Sequence, residues 1–123
     1  MSNPIDGDVV CLLGVGKPKM TVKNKVNDTE CECEWFDIIK KIQHEKFQNT
    51  ELDIIEEYPK PSENVDPNNP SGFKIGDSVH LRSDINQTLV VREIDGNDVT
   101  CIWFDEKHRF QKHTFLFPQL SDE

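Results

Sequence analysis

Residues 33–37 read Cys-Glu-Trp-Phe-Asp, and residues 101–105 read Cys-Ile-Trp-Phe-Asp. The second string lies 68 positions after the first, and its flanks repeat at nearly the same offset. Gln43, Phe47 and Leu52 recur as Gln111, Phe115 and Leu120 at 68, while Gly7-Asp8 and Val22 recur as Gly76-Asp77 and Val91 at 69. One residue gained between Val22 and Cys33 accounts for the change of offset. Matches in this order across 123 residues indicate a doubled unit.

The stretch between the copies, residues 56–72, holds Pro59, Pro61, Pro67 and Pro70 among asparagines and ends on Gly72. Proline at this density opposes regular structure and favours an extended, semi-stiff connector. The expected organisation is therefore a first repeat over 1–55, a linker over 56–72 and a second repeat over 73–123.

The second repeat reads as short strands and tight turns. Residues 78–82 alternate as a half-buried strand, and residues 88–94 form a β-rich run. Asp95-Gly96-Asn97-Asp98 is a hairpin connection, followed by strands over 99–104 and 110–115. A helical period is missing throughout. The expected fold class is all-β, with two tandem small SH3-like antiparallel barrels in a pseudo-twofold relation, since closing a small sheet removes its exposed edges. Within residues 31–36, Cys31, Cys33 and Trp35 alternate with Glu32, Glu34 and Phe36. The glutamates mark the second set as solvent-facing, which puts Cys31, Cys33 and Trp35 inside with Val99, Cys101 and Trp103. By the same register Phe36 and Phe104 point outward, either to join the two units or to meet a partner.

Charge narrows the partners. The net charge is −9, and residues 1–60 carry eight Lys plus Arg against twelve Asp plus Glu, or −4, leaving −5 for residues 61–123. Acidity spread over both halves, with no basic stripe, argues against nucleic acid. No apolar run approaches the roughly 18 residues of a membrane helix, and residues 1–6 lack the pattern of a secretory signal. Cys11, Cys31, Cys33 and Cys101 are accordingly expected to be reduced thiols of a cytoplasmic protein.

Gly7-Asp8-Val9-Val10, Pro18-Lys19-Met20-Thr21-Val22, Cys33-Glu34-Trp35-Phe36-Asp37 and Phe47 together resemble the YodC-like family of very small bacterial proteins. That family's pattern is a GDVV start, a GGPxMTV segment, a CxWFD strand and a late phenylalanine. The first copy departs at Lys17, where the family tends to have glycine. The second copy keeps Gly76-Asp77, Cys101 and Trp103-Phe104-Asp105 but loses the PxMTV segment. The resemblance covers about five-sixths of the chain. It implies an SH3-like barrel and an origin in bacteria or their phages, and it implies no activity.

Candidate chemistry is sparse. Cys31 and Cys33 lie on one face of one strand about 7 Å apart by strand rise, a spacing that suits buried small side chains better than zinc. His44, His80, His108 and His113 form no repeated constellation with a nucleophile and read as surface residues. Asp8, Asp37, Asp77 and Asp105 stand where aspartate bonds turn backbone. Gly14-Val15-Gly16-Lys17 lacks the spacing and the Ser/Thr of a phosphate loop. No catalytic residue, metal or cofactor is indicated. The expected function is a non-catalytic interaction or adaptor module that binds another protein or itself, with Pro18, Met20, Trp35, Phe36, Trp103 and Phe104 as its binding residues. Alternatives are a nucleic-acid-binding barrel that stacks bases on exposed aromatics and a protein that sequesters a small ligand or metal, including a phage-encoded inhibitor.

Overall fold

A computed structural model describes residues 3–58 and 69–122. Most of the proline-rich linker, residues 59–68, lies outside the described residues. The chain forms ten strands and two single-turn 3₁₀ segments, with no α-helix among the described residues. The first half contributes β1 (Val9–Leu12), β2 (Met20–Lys25), β3 (Glu30–Phe36), β4 (Ile42–Gln48) and β5 (Leu52–Glu56). The second contributes β6 (Ser78–Leu81), β7 (Asp84–Asp95), β8 (Asp98–Phe104), β9 (Phe110–Leu116) and β10 (Leu120–Ser121). Each half is one five-stranded antiparallel sheet, in the orders β4-β3-β2-β1-β5 and β9-β8-β7-β6-β10. The all-β reading holds.

The two halves share a set of turn hydrogen bonds. Gly7 N–H donates to the Val22 carbonyl and Gly76 N–H to that of Val91, both at 2.8 Å. The Asp8 carboxylate accepts from Ile5 N–H, and that of Asp77 accepts from Lys74 N–H. Asp37 and Asp105 each accept two N–H groups of the turn that follows and a side-chain N–H from Gln43 or Gln111. These turns force Lys40 and His108 into the left-handed region, with φ of 68° and 62°. All four aspartates therefore act as turn residues, as the sequence suggests. The Asp95–Asp98 hairpin also forms, with Gly96 at φ 61°.

Closed barrels do not form. Among the described residues, β4 and β5 are not paired with each other, nor are β9 and β10. Bulges at Val22/Asn24 and Val91/Glu93 bend β2 and β7, and no further ladder closes the sheets among the described residues. In the first half the core is Val10, Met20, Val22, Cys31, Cys33 and Leu52, flanked by Trp35 and Phe47. In the second it is Phe73, Val79, Leu81, Leu89, Val91, Val99, Cys101, Trp103, Phe115 and Leu120, and it also takes in Phe36 from the first half.

Glu34 corrects the solvent-facing expectation for β3, while Phe36 takes one of the two roles open to it and joins the units. Phe36 is 7 % exposed, because the second half packs over that face of the first sheet. Glu34 is likewise buried there, whereas its match Ile102 is half-exposed and Phe104 is 61 % exposed. The halves thus meet through unlike surfaces. A twofold axis would bury Phe104 against Trp35 as it buries Phe36 against Trp103, so the expected pseudo-twofold relation fails at this contact.

Candidate interaction site

The contact between the halves joins a turn of the first to a tryptophan of the second. The Phe36 ring meets Trp103 edge-on at 5.3 Å between centroids. Trp103 Nε1–H donates to the Lys40 carbonyl and Glu106 N–H to the Ile39 carbonyl, each at 2.8 Å. Lys40 Nζ pairs with Asp84 at 2.8 Å. A socket around Trp103 thus holds a turn by one aromatic side chain and two successive carbonyls.

Beside it lies a buried polar cluster. The Glu34 carboxylate sits 2.9 Å from His113 Nε2, accepts from Gln119 Nε2 at 2.7 Å and has Lys23 Nζ at 3.9 Å. Burial pushes this carboxyl up, but the His113 and Gln119 hydrogen bonds and the Lys23 charge outweigh it, and the group lies below its ordinary 4.5. Farther along, Thr21 Oγ1–H donates to Ser83 Oγ at 2.7 Å, and Arg82 bonds the Gly7 carbonyl and Glu56 while stacking on Tyr58. His113, expected at the surface, belongs to this seam.

The corresponding place in the first half is an open groove. Lys17, Pro18, Trp35, Phe36, Asp37 and Ile38 line a hollow of about 520 Å³ with mostly apolar walls. Trp35 is half-buried against Phe47, with centroids 6.3 Å apart. Neither Trp35 Nε1 nor Ile38 N has a hydrogen-bond partner among the described residues. These two donors match Trp103 Nε1 and Glu106 N. Ile38 is 94 % exposed at the groove's rim.

Of the six residues expected to bind, three line this groove: Pro18, Trp35 and Phe36. Met20 does not, because strand alternation in β2 sends it into the core at 2 % exposure. Trp103 is buried by Phe36, so Phe36 and Trp103 serve the contact between halves. Phe104 stands on the outer face of β8, edge-on to Phe110 at 6.1 Å, with Arg92 over the Phe110 ring at 5.4 Å. Sequence reasoning missed Glu34 and Ile38. Glu34 was signalled by the one mismatch, Glu34 against Ile102, inside an otherwise repeated string. Ile38 was signalled by an isoleucine in a turn where the second copy has Glu106.

The thiols are core residues. The Cys31 and Cys33 sulfurs are 4.0 Å apart and buried. The Cys31 thiol and burial push Cys33 up, and burial alone pushes Cys101 up to about 12, so both stay protonated near neutrality. Among the described residues no group of three His, Cys, Asp or Glu side chains could hold a metal ion, and no helix is long and apolar enough to cross a membrane. Comparison with protein-family models, curated proteins and solved structures gave no match.

Proposed function

We propose that this chain is a non-catalytic interaction protein whose groove at Trp35 takes a polypeptide turn. One observation carries the reading: the matched place in the other half already holds the 39–40 turn, through Trp103 Nε1 and Glu106 N. A wall of proline, tryptophan and isoleucine with two backbone-seeking donors suits peptide recognition, where apolar contact gives affinity and a few polar groups fix the register. Several buried or turn polar side chains elsewhere hold the fold together. The turn aspartates hold backbone N–H groups, and the Glu34–His113 pair is covered by the seam.

In this reading both halves descend from one duplicated gene of YodC-like type, each an SH3-like barrel in ancestry. The matched turns, bulges and sheet orders support it. Selection of turn-constrained peptides from a displayed library tests the groove. Selected peptides should shift the Trp35 indole N–H resonance and lose binding to Ile38→Asp. Peptides that bind without moving that signal would sink the assignment.

A second reading, base stacking, is favoured by the exposed Phe104–Phe110 pair with Arg92 above it. The net charge of −9 opposes it. Fluorescence anisotropy with a labelled single-stranded oligonucleotide at low salt decides: no binding there removes this reading.

A further inference from the structure

We infer that the polypeptide seated in the Trp35 groove is a second copy of this chain, entering head-to-tail with its own 105–109 turn and Phe104. This rests on the groove reading above and names its partner.

The occupied contact consists of a plug and a socket. The plug is the 37–41 turn with Phe36; the socket is Trp103 with Glu106 N–H. Every part has a match in the other half. The turn at 105–109 carries His108 in the same left-handed conformation as Lys40, and its aspartate holds Lys107 and Arg109 N–H as Asp37 holds those of Ile39 and Lys41. It therefore points the Lys107 and His108 carbonyls outward as the first turn points those of Ile39 and Lys40. Phe104 stands where Phe36 stands and is 61 % exposed. One molecule thus uses one plug and one socket internally and displays one of each.

The plug is preformed, so binding costs little ordering. The rim charges also suit. Where Glu34 meets His113 and Gln119, the second plug has Ile102 paired across strands with Lys112, and the first-half residues matching His113 and Gln119 are Glu45 and Glu51. A lysine then approaches two glutamates. The Lys40–Asp84 pair has no counterpart, since the matching residues are His108 and Val15. Association between molecules is accordingly weaker than docking within one, which the linker also favours by raising effective concentration. Because plug and socket are different surfaces, the contact is heterologous and does not close on a pair. It propagates into a ring or an open string.

Sedimentation equilibrium of the full chain across a concentration series tests this. The wild type should rise with concentration from 14.2 kDa through twice that mass and beyond. Phe104→Ala and Ile38→Asp, both at exposed positions and checked for unchanged thermal melting, should each stay at 14.2 kDa. Mixed in equal amounts, they should form a dimer and nothing larger, because one variant brings only an intact socket and the other only an intact plug. A wild type that remains monomeric at every concentration overturns the inference, as do oligomers that survive both substitutions. If the wild type is monomeric while selected peptides still shift Trp35, self-association falls and the groove reading stands. If those peptides also fail, both fall.

Discussion

Trp35 and Trp103 occupy the same place in the same repeated string, yet one lines an open groove and the other is sealed. Trp103 is 5 % exposed, capped by Phe36 and bonded to the Lys40 carbonyl, whereas Trp35 lacks both partners among the described residues. The outer faces reverse the pattern. Glu34 and Phe36 are buried, and Ile102 and Phe104 look outward. Two nearly equal units have thus been set against each other through unlike surfaces, and the same residue type is sealed in one half and lines an open groove in the other. Repetition of a sequence string fixes the local fold and says little about which copy is covered.

Matched substitutions probe this contrast. Phe36→Ala should cost about 3–5 kcal/mol, the usual loss for a buried phenylalanine. Phe104→Ala should change stability by no more than about 0.5 kcal/mol. Equal losses in urea melts of the two variants would break the comparison. Gly7 and Gly76 come next. Both have positive φ, 88° and 93°, but a Cβ at Gly7 would also lie 2.6 Å from the Pro118 carbonyl oxygen and press on Tyr58, while one at Gly76 meets nothing within 4 Å. Gly7→Ala should cost about 2–4 kcal/mol and Gly76→Ala about 1–2 kcal/mol, the strained backbone alone. The difference between their thermal midpoints measures the seam.

Glu34→Ala leaves His113 and Gln119 without their acceptor and should cost roughly 1–3 kcal/mol; Ile102→Ala, on the open face, should cost less. The same carboxylate gives a pH signature. It lies below its ordinary 4.5, so its contribution is complete above that value and is lost as pH falls through its folded-state value. Acid unfolding of the wild type should therefore be steeper than that of Glu34→Gln, and superimposable acid curves would contradict the assigned hydrogen bonds. The smallest contrast belongs to the indoles. Trp103→Phe removes the bond to Lys40 and should cost about 1 kcal/mol beyond the change in packing. Trp35→Phe should leave stability nearly unaltered and show only in binding.

The strands, hairpin and turns were legible because local rules set them. Alternation at Cys31, Cys33, Val99, Cys101 and Trp103 reports the inner face, and Asp37 and Asp105 bond their own turns wherever the turn lies. The seam was less legible. Glu34 and Phe36 obey the alternation that marks them as outward, and only a neighbouring unit, absent from any local pattern, turns outward into buried. Met20 was misplaced for the opposite reason. Its resemblance to a family segment drew attention that strand parity would have withheld. The groove was half legible, since Pro18, Trp35 and Phe36 stood out as apolar, while its rim at Ile38 depends on a turn conformation that one isoleucine does not announce.

Phe36 also orders the events of synthesis. The second core holds a ring that belongs to β3, so residues 69–122 made alone would leave Trp103 without its cap. The first sheet borrows nothing comparable for its own interior. Chains emerge from the ribosome N-terminal end first, and the cap is therefore in place before the part that requires it has been translated.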